Sequence, residues 1–91
     1  MKVRIYTTTY CGYCYAAKSI LRRKQVEFEE IDCTRDPETR RWLVEKTGRR
    51  TVPQIFFGEV PVGGHDELRA MERAGQLDAV LAGEREAPPV V

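Results

Sequence analysis

Two cysteines spaced as Cys-x-x-Cys, Cys11 and Cys14, stand between a predicted strand and a predicted helix. Residues 2–6 alternate polar and apolar side chains, which predicts a strand, and from Tyr13 onward the apolar residues recur at helical spacing. In a chain with an odd number of cysteines, this spacing is typical of redox chemistry or of a metal site rather than of a disulfide framework. The chain is therefore expected to begin as a strand–turn–helix unit that carries the cysteine pair at the turn.

Strand and helix patterns continue to alternate after this unit. They predict strands near residues 26–31, 54–57 and 60–62, a helix that starts at Asp36-Pro37 and ends at Gly48, and a last helix that begins near Asp66 and continues after Gly75. The order β-α-β-α-β-β-α predicts an α/β fold, a small mixed sheet with helices on both faces. Pro61 has no N–H to donate to a ladder, so the fourth strand is predicted to be short or at an edge. We expect one domain over residues 1–82 and a flexible C-terminal tail over residues 83–91.

Charge and hydropathy exclude several classes of function. The 91 residues carry a net charge of +1, so the basic excess of a non-specific nucleic-acid binder is missing. No apolar run approaches the roughly 18 residues of a membrane span, and the first residues do not resemble a signal peptide. We therefore expect a cytoplasmic protein with no nucleic-acid or membrane partner.

The position of Cys11 at a helix start favours redox chemistry. Sulfur at an N-cap can accept hydrogen bonds from the amides of Tyr13 and Cys14, which stabilises the thiolate over the thiol. Cys14 lies one turn further on, within reach of a mixed disulfide on Cys11. We expect Cys11 to be the nucleophile and Cys14 the resolving thiol.

The alternative to redox chemistry is a structural zinc site made by both cysteines with Cys33 and His65. Such sites normally use a second closely spaced pair of ligands, and Cys33 and His65 lie far apart in the sequence. We therefore expect no resident metal. Cys33 follows a predicted strand and is interpreted as a small buried hydrophobe.

Four segments together resemble one known family, and their separations match it as well. The chain resembles a dithiol glutaredoxin of the bacterial class I type, with a Cys-Gly-Tyr-Cys active site, over residues 2–82. The segments are Ile5-Tyr6-Thr7, Cys11-Gly12-Tyr13-Cys14, Thr51-Val52-Pro53-Gln54-Ile55-Phe56 and Gly63-Gly64-His65-Asp66. The resemblance implies a thioredoxin-like fold with a four-stranded mixed sheet. It also implies glutathione-dependent reduction of protein–glutathione mixed disulfides and protein disulfides, with Cys11 and Cys14 as the catalytic pair.

The resemblance also implies which residues hold glutathione. Tyr13 flanks the tripeptide, the backbone of Val52 before a cis-proline pairs with its cysteine, and Arg40 meets its glycyl carboxylate. The complete predicted glutathione site is Tyr13, Arg40, Thr51, Val52, Pro53, Gly64, His65 and Asp66. The last three of these hold the γ-glutamyl end.

Simpler interpretations stay open for several of these residues. Asp66 can be a helix N-cap, and Arg40 can lie on a solvated helix face like its neighbour Arg41. Pro53 can follow an ordinary trans peptide bond, which is the commoner isomer. His65 is interpreted as a loop residue rather than a catalytic base, since thiol exchange needs no separate base once the thiolate exists.

Two positions depart from the family pattern. Gly12 replaces the common proline, and some relatives with glycine or serine there hold a [2Fe-2S] cluster between two subunits, through the first cysteine and glutathione. The alternative function is therefore a cluster carrier or sensor that dimerises through Cys11 and glutathione, whereas a monomer is expected otherwise. Thr8 replaces a lysine that supports the thiolate in many relatives, so Arg40 is expected to carry more of the carboxylate recognition. A third alternative, a protein reduced by thioredoxin reductase, is disfavoured by the two glutathione-type segments.

Overall fold

The sheet has four strands, with β1 and β3 at its centre. The computed structural model describes residues 2–82, in which the elements are β1 (Val3–Thr7), α1 (Gly12–Arg23), β2 (Phe28–Asp32), α2 (Pro37–Thr47), β3 (Gln54–Phe57), β4 (Val60–Gly63), α3 (His65–Arg73) and α4 (Leu77–Leu81). The strand order is β2-β1-β3-β4, with β2 parallel to β1 and the other two pairs antiparallel. This mixed sheet confirms the predicted architecture, with β4 at an edge. The tail predicted over residues 83–91 lies outside the described residues.

Alternating side chains of the central strands divide the core into two clusters, one on each face of the sheet. Ile5 and Ile55 face a larger cluster completed by α1, α3 and α4, in which Leu21 and Leu68 are fully buried. The neighbouring residues of the same strands point the other way, into a smaller cluster that packs against α2. The members of this smaller cluster are Tyr6, Cys33, Leu43 and Phe56.

The second strand begins at Phe28, two positions later than the sequence pattern predicts. The cause is the end of α1, where Gln25 adopts a positive φ of 56°. The N–H of Val26 donates to the carbonyl of Leu21 and that of Gln25 to Arg22, the pairing of a Schellman motif. Val26 therefore completes the helix end and packs on the core instead of joining the sheet.

The last predicted helix is divided in two at Gly75. This residue has a φ of 71°, and its N–H donates to the carbonyl of Glu72, while that of Gln76 donates to Met71. The same type of cap thus ends α3, and α4 starts as a separate short helix. No helix in residues 2–82 has both the length and the apolar character that a bilayer span requires.

Helix α2 begins and ends where the sequence predicts. The carboxylate of Asp36 accepts the N–H of Thr39 at 3.1 Å and its hydroxyl at 2.6 Å, and Gly48 ends the helix with a φ of 74°. Trp42 on this helix is 38% exposed and stacks on Phe56, with ring centroids 5.7 Å apart. Trp42 is therefore a partly buried packing residue of α2.

Candidate active site

Cys11 occupies the N-cap of α1, immediately after the loop that follows β1. Its backbone is extended, and its Sγ accepts the N–H of Cys14 at 3.2 Å. Of the two amides expected to donate to this sulfur, the N–H of Cys14 therefore does so. The sulfur is half-buried, so it is reachable from solvent and also lies at the positive end of the helix dipole.

The loop before Cys11 is anchored to the end of β2 and to the turn that follows it. The N–H of Thr9 donates to the hydroxyl of Thr34 at 2.7 Å, and the hydroxyl of Thr9 lies 3.4 Å from a carboxylate oxygen of Asp32. Tyr10 follows with a positive φ of 61°, and its side chain is 96% exposed. This sharp turn presents Cys11 at the start of α1.

Cys14 lies one turn into α1, and its side chain is only 2% exposed. Burial, followed by the hydrogen bond with the Cys11 side chain, raises the pKa of the Cys14 thiol to about 12. The two thiols of the pair therefore differ in access. Cys11 faces the surface, whereas Cys14 is enclosed behind it.

A cleft of about 490 Å³ lies beside Cys11 and collects almost all of the predicted glutathione site. Its lining residues are Tyr13, Arg49, Arg50, Thr51, Val52, Pro53, Gly64, His65, Asp66 and Glu67. The Sγ of Cys11 lies 3.8 Å from the carbonyl oxygen of Val52, which connects Cys11 to this cleft. The Val52–Pro53 peptide bond is cis, so the prediction of a cis-proline turn is confirmed and the trans alternative is wrong.

The start of α1 and the start of α3 face each other across the cleft. The rings of Tyr13 and His65 lie 5.4 Å apart between centroids, and Nδ1 of His65 is 3.1 Å from the carboxylate of Asp66. Gly64 is the N-cap of α3, so the interpretation of Asp66 as the cap is wrong. Asp66 lies in the first turn with 85% of its side chain exposed.

Glu67, which is absent from the predicted site, joins the two backbone segments that line the cleft. Its carboxylate accepts the N–H of Gly64 at 2.8 Å and pairs with the guanidinium of Arg49, which comes from the segment before Thr51. The ion pair with Arg49 holds the pKa of Glu67 below its usual range, against a smaller opposing effect of burial. A glutamate three residues after a helix N-cap is a recognisable capping pattern, but nothing in the sequence indicates the pairing with Arg49.

Arg40 is the one predicted glutathione residue outside the lining of this cleft. It lies on α2 and lines a separate cavity of about 420 Å³ with Arg41, Val44, Glu45 and Arg50. Arg50 lines both cavities, so the two adjoin at that residue.

Cys33 is fully buried in the smaller core cluster, which confirms its interpretation as a small hydrophobe. Its thiol donates to the carbonyl of Thr7 at 3.1 Å, and burial raises its pKa. Across residues 2–82, no group of three or more histidine, cysteine or acidic side chains is arranged to hold a metal ion.

Comparisons with known proteins identify the family of the chain. The sequence profile of the family described as Glutaredoxin matches residues 3–62. A glutaredoxin of Pseudomonas aeruginosa is 56% identical over 80 residues, covering 88% of this chain and 95% of the relative. Glutaredoxin 3 of Escherichia coli is 40% identical over 79 residues, covering 87% of this chain and 95% of the relative.

Solved structures show the same fold. The solution structure of a glutaredoxin from Brucella melitensis matches with a TM-score of 0.83 and 48% identity, covering 93% of this chain and 92% of that one. The crystal structure of a buckwheat glutaredoxin–glutathione complex matches with a TM-score of 0.85 and 28% identity, covering 89% of this chain and 76% of that one. The sheet, the cysteine pair at the start of α1 and these similarities lead to one conclusion. The chain belongs to the glutaredoxin family, as a dithiol glutaredoxin with the thioredoxin-like fold and the thiol–disulfide oxidoreductase activity of that family.

Proposed function

We propose that this protein uses glutathione to reduce protein–glutathione mixed disulfides and protein disulfides, with Cys11 as nucleophile and Cys14 as resolving thiol. The observation that carries the proposal is the difference between the two sulfurs. Cys11 is accessible at a helix N-cap and borders the cleft, whereas Cys14 is 2% exposed behind it. An outside disulfide can therefore reach Cys11 first.

In the first reaction, the thiolate of Cys11 attacks the glutathione sulfur of a mixed disulfide. A Cys11–glutathione disulfide forms, the original disulfide breaks, and the substrate sulfur leaves as a thiolate that takes up a proton. A second glutathione thiolate then attacks the bound glutathione sulfur, releasing Cys11 and glutathione disulfide. This cycle needs no contribution from Cys14.

The cleft has the chemistry to hold the tripeptide during this cycle. The first turn of α3 offers backbone N–H groups to a carboxylate, and the exposed carboxylate of Asp66 suits an ammonium group. These two features fit the α-carboxylate and α-amino group of the γ-glutamyl end. The buckwheat relative, whose structure contains glutathione, supports the assignment by its similarity.

Reduction of a protein disulfide requires the second cysteine. Cys11 attacks one substrate sulfur and forms a mixed disulfide with the substrate. Cys14 then attacks the sulfur of Cys11, which releases the substrate as a dithiol and leaves a Cys11–Cys14 disulfide. Two glutathione molecules reduce this disulfide and leave as glutathione disulfide.

Two serine variants test these roles with two substrates, a glutathionylated peptide and a peptide with an internal disulfide. We expect Cys14→Ser to keep most deglutathionylation and to lose most disulfide reduction, whereas Cys11→Ser loses both. The buried Cys33→Ser variant is the control and should keep both activities if it folds. Loss of both activities in Cys14→Ser would contradict the assignment of nucleophile and resolving thiol.

The alternative, a glutathione-ligated [2Fe-2S] carrier, rests on Gly12. A Cβ at this position would meet no atom within 4 Å, so the space that proline fills in many relatives is open here. Anaerobic reconstitution with iron, sulfide and glutathione separates the two functions. Our proposal predicts a colourless monomer that is active on the glutathionylated peptide, and a coloured dimer would favour the alternative.

A further inference from the structure

Lys18 is a charged side chain enclosed in the structure, with an exposed fraction of only 8%. Its Nζ lies 2.9 Å from Oε2 of Glu30 on β2 and 4.7 Å from the ring centroid of Tyr15. The same oxygen of Glu30 accepts the hydroxyl of Thr7 at 2.8 Å. Lysine is rarely buried unless it is paired, so Glu30, which is itself held by the hydroxyl of Thr7, fixes the ammonium group in place.

This ammonium lies on the face of α1 that also carries the buried thiol of Cys14. The two residues are four positions apart in the helix, so their side chains are neighbours, and a long helical side chain extends toward the preceding turn. The hydrogen bond between Glu30 and Lys18 contributes to a pKa of Glu30 below its usual range, although burial opposes it. The Glu30 carboxylate is therefore charged at neutral pH.

The groups around the Cys14 thiol act in opposite directions on its ionisation. Burial, the hydrogen bond with Cys11 and the charge of Cys11 raise its pKa, whereas a backbone hydrogen bond at Thr8 and the charge of Lys18 lower it. Lys18 in turn interacts with Glu30 and Asp32 of β2. Lys18 is thus the side-chain cation that acts on the resolving sulfur from within the fold.

We propose that Lys18 is a positioning residue for the resolving step, where its ammonium stabilises the negative charge that develops on the Cys14 sulfur during attack. This inference rests on the proposed function. In that step the S–H bond of Cys14 breaks, the Cys14–Cys11 disulfide forms, and the bond from Cys11 to the substrate sulfur breaks. The substrate sulfur leaves as a thiolate and takes up a proton, so the mixed disulfide is the only oxidant required.

The role of Lys18 is confined to reactions that use Cys14. Deglutathionylation turns over through Cys11 and free glutathione, so it does not depend on charge at the second sulfur. Loss of Lys18 should therefore separate the two activities rather than lower them together.

The test compares Lys18→Met with the wild-type protein on the glutathionylated peptide and the disulfide peptide, as a function of pH. We expect disulfide reduction by Lys18→Met to be about tenfold slower at neutral pH and its pH profile to move to higher pH, as for a thiol about one pKa unit less acidic. Deglutathionylation should stay within about twofold. Lys18→Arg should restore most of the disulfide reduction, because it restores the cation.

Two further variants separate this role from a structural one. Glu30→Gln breaks the same ion pair but keeps the cation, so we expect disulfide reduction as fast as wild type or faster, and this variant remains a test if Lys18→Met does not fold. Lys24→Met removes a lysine at the other end of α1, where it pairs with Asp78, and should change neither activity.

Equal losses of both activities in Lys18→Met, an unshifted pH profile, or slower disulfide reduction in Glu30→Gln would overturn the inference. The proposed function fails separately, if the wild-type protein reduces neither substrate with glutathione. If the wild-type protein and Lys18→Met reduce both substrates equally well, the inference about Lys18 alone fails.

Discussion

The sulfur of Cys11 lies 3.8 Å from the carbonyl oxygen of Val52, although 41 positions separate the two residues in the chain. The contact joins the start of α1 to the segment before β3. It places this sulfur at the edge of the cleft that Tyr13, His65 and Asp66 line. We therefore expect a substrate bound along this cleft to meet both the sulfur of Cys11 and the first turn of α3.

Asp66 gives the first prediction. Its carboxylate lies 3.1 Å from Nδ1 of His65 but is 85% exposed and makes no cap, so an ammonium group of the substrate can reach it. We expect Asp66→Asn to raise the KM for a glutathionylated peptide about three- to tenfold with little change in kcat. Steady-state kinetics check this, with Asp78→Asn on α4 as the control. An unchanged KM in Asp66→Asn would remove this residue from the binding site.

Arg40 gives the second prediction, because the structure locates it in the cavity beside the cleft rather than in the cleft itself. If it binds the glycyl carboxylate, Arg40→Ala raises the KM for the glutathionylated peptide, while Arg41→Ala on the same helix leaves it unchanged. Arg50→Ala completes the comparison, since Arg50 lines both cavities. A normal KM in Arg40→Ala together with a raised KM in Arg50→Ala would transfer the role to Arg50.

The ion pair between Glu67 and Arg49 predicts a pH-dependent contribution to stability. In the folded protein the pKa of Glu67 lies below its ordinary value of 4.5. The ion pair therefore contributes its full stabilisation above pH 4.5, and this stabilisation is lost as the pH falls through the pKa of the folded state. We expect Glu67→Gln to be less stable than wild type at neutral pH and the difference to shrink in acid. Urea unfolding across this range measures it, and a difference that does not change with pH would contradict the role of the carboxylate charge.

Gly63 gives a prediction about packing at the end of β4. Its φ is 107°, and a Cβ there would lie 2.5 Å from an oxygen of Glu67. We expect Gly63→Ala to lower the free energy of unfolding by about 3 kcal/mol, from backbone strain and displacement of Glu67. The control is Gly58→Ala, with a φ of 63° and no atom near the added Cβ, for which about 1–2 kcal/mol is expected. If urea unfolding gives the same loss of unfolding free energy for Gly63→Ala and Gly58→Ala, the contact with Glu67 does not destabilise the protein.

The element order could be predicted because each element carries a local signal. Alternation over residues 2–6, the Asp36-Pro37 start and the cysteine pair at a helix start all depend on neighbours in the sequence. The start of β2 could not be predicted so well, because the N–H of Val26 donates to the carbonyl of Leu21 at the end of α1 and is not available to the sheet. That choice depends on the conformation of Gln25, a residue type that rarely adopts a positive φ.

The residues of the candidate site also fall into those that the sequence predicts and those that it does not. Most of its residues were found through short segments that resemble the family, and these segments do meet at one cleft. The pairing of Arg49 with Glu67 and the pairing of Lys18 with Glu30 link distant parts of the chain, and they depend on how helices are placed against the sheet. A single sequence does not encode such placement in any local pattern.

The proposed cycle requires that Cys11 alone forms the disulfide with glutathione, whereas Cys14 resolves only the mixed disulfide with a protein substrate. Mass spectrometry of intact Cys14→Ser protein after reaction with glutathione disulfide tests this most directly, with peptide mapping to locate the adduct. We predict one glutathione, attached to Cys11, that free glutathione removes, and no adduct in Cys11→Ser under the same conditions. An adduct on Cys33, or no adduct on Cys11, would contradict the account.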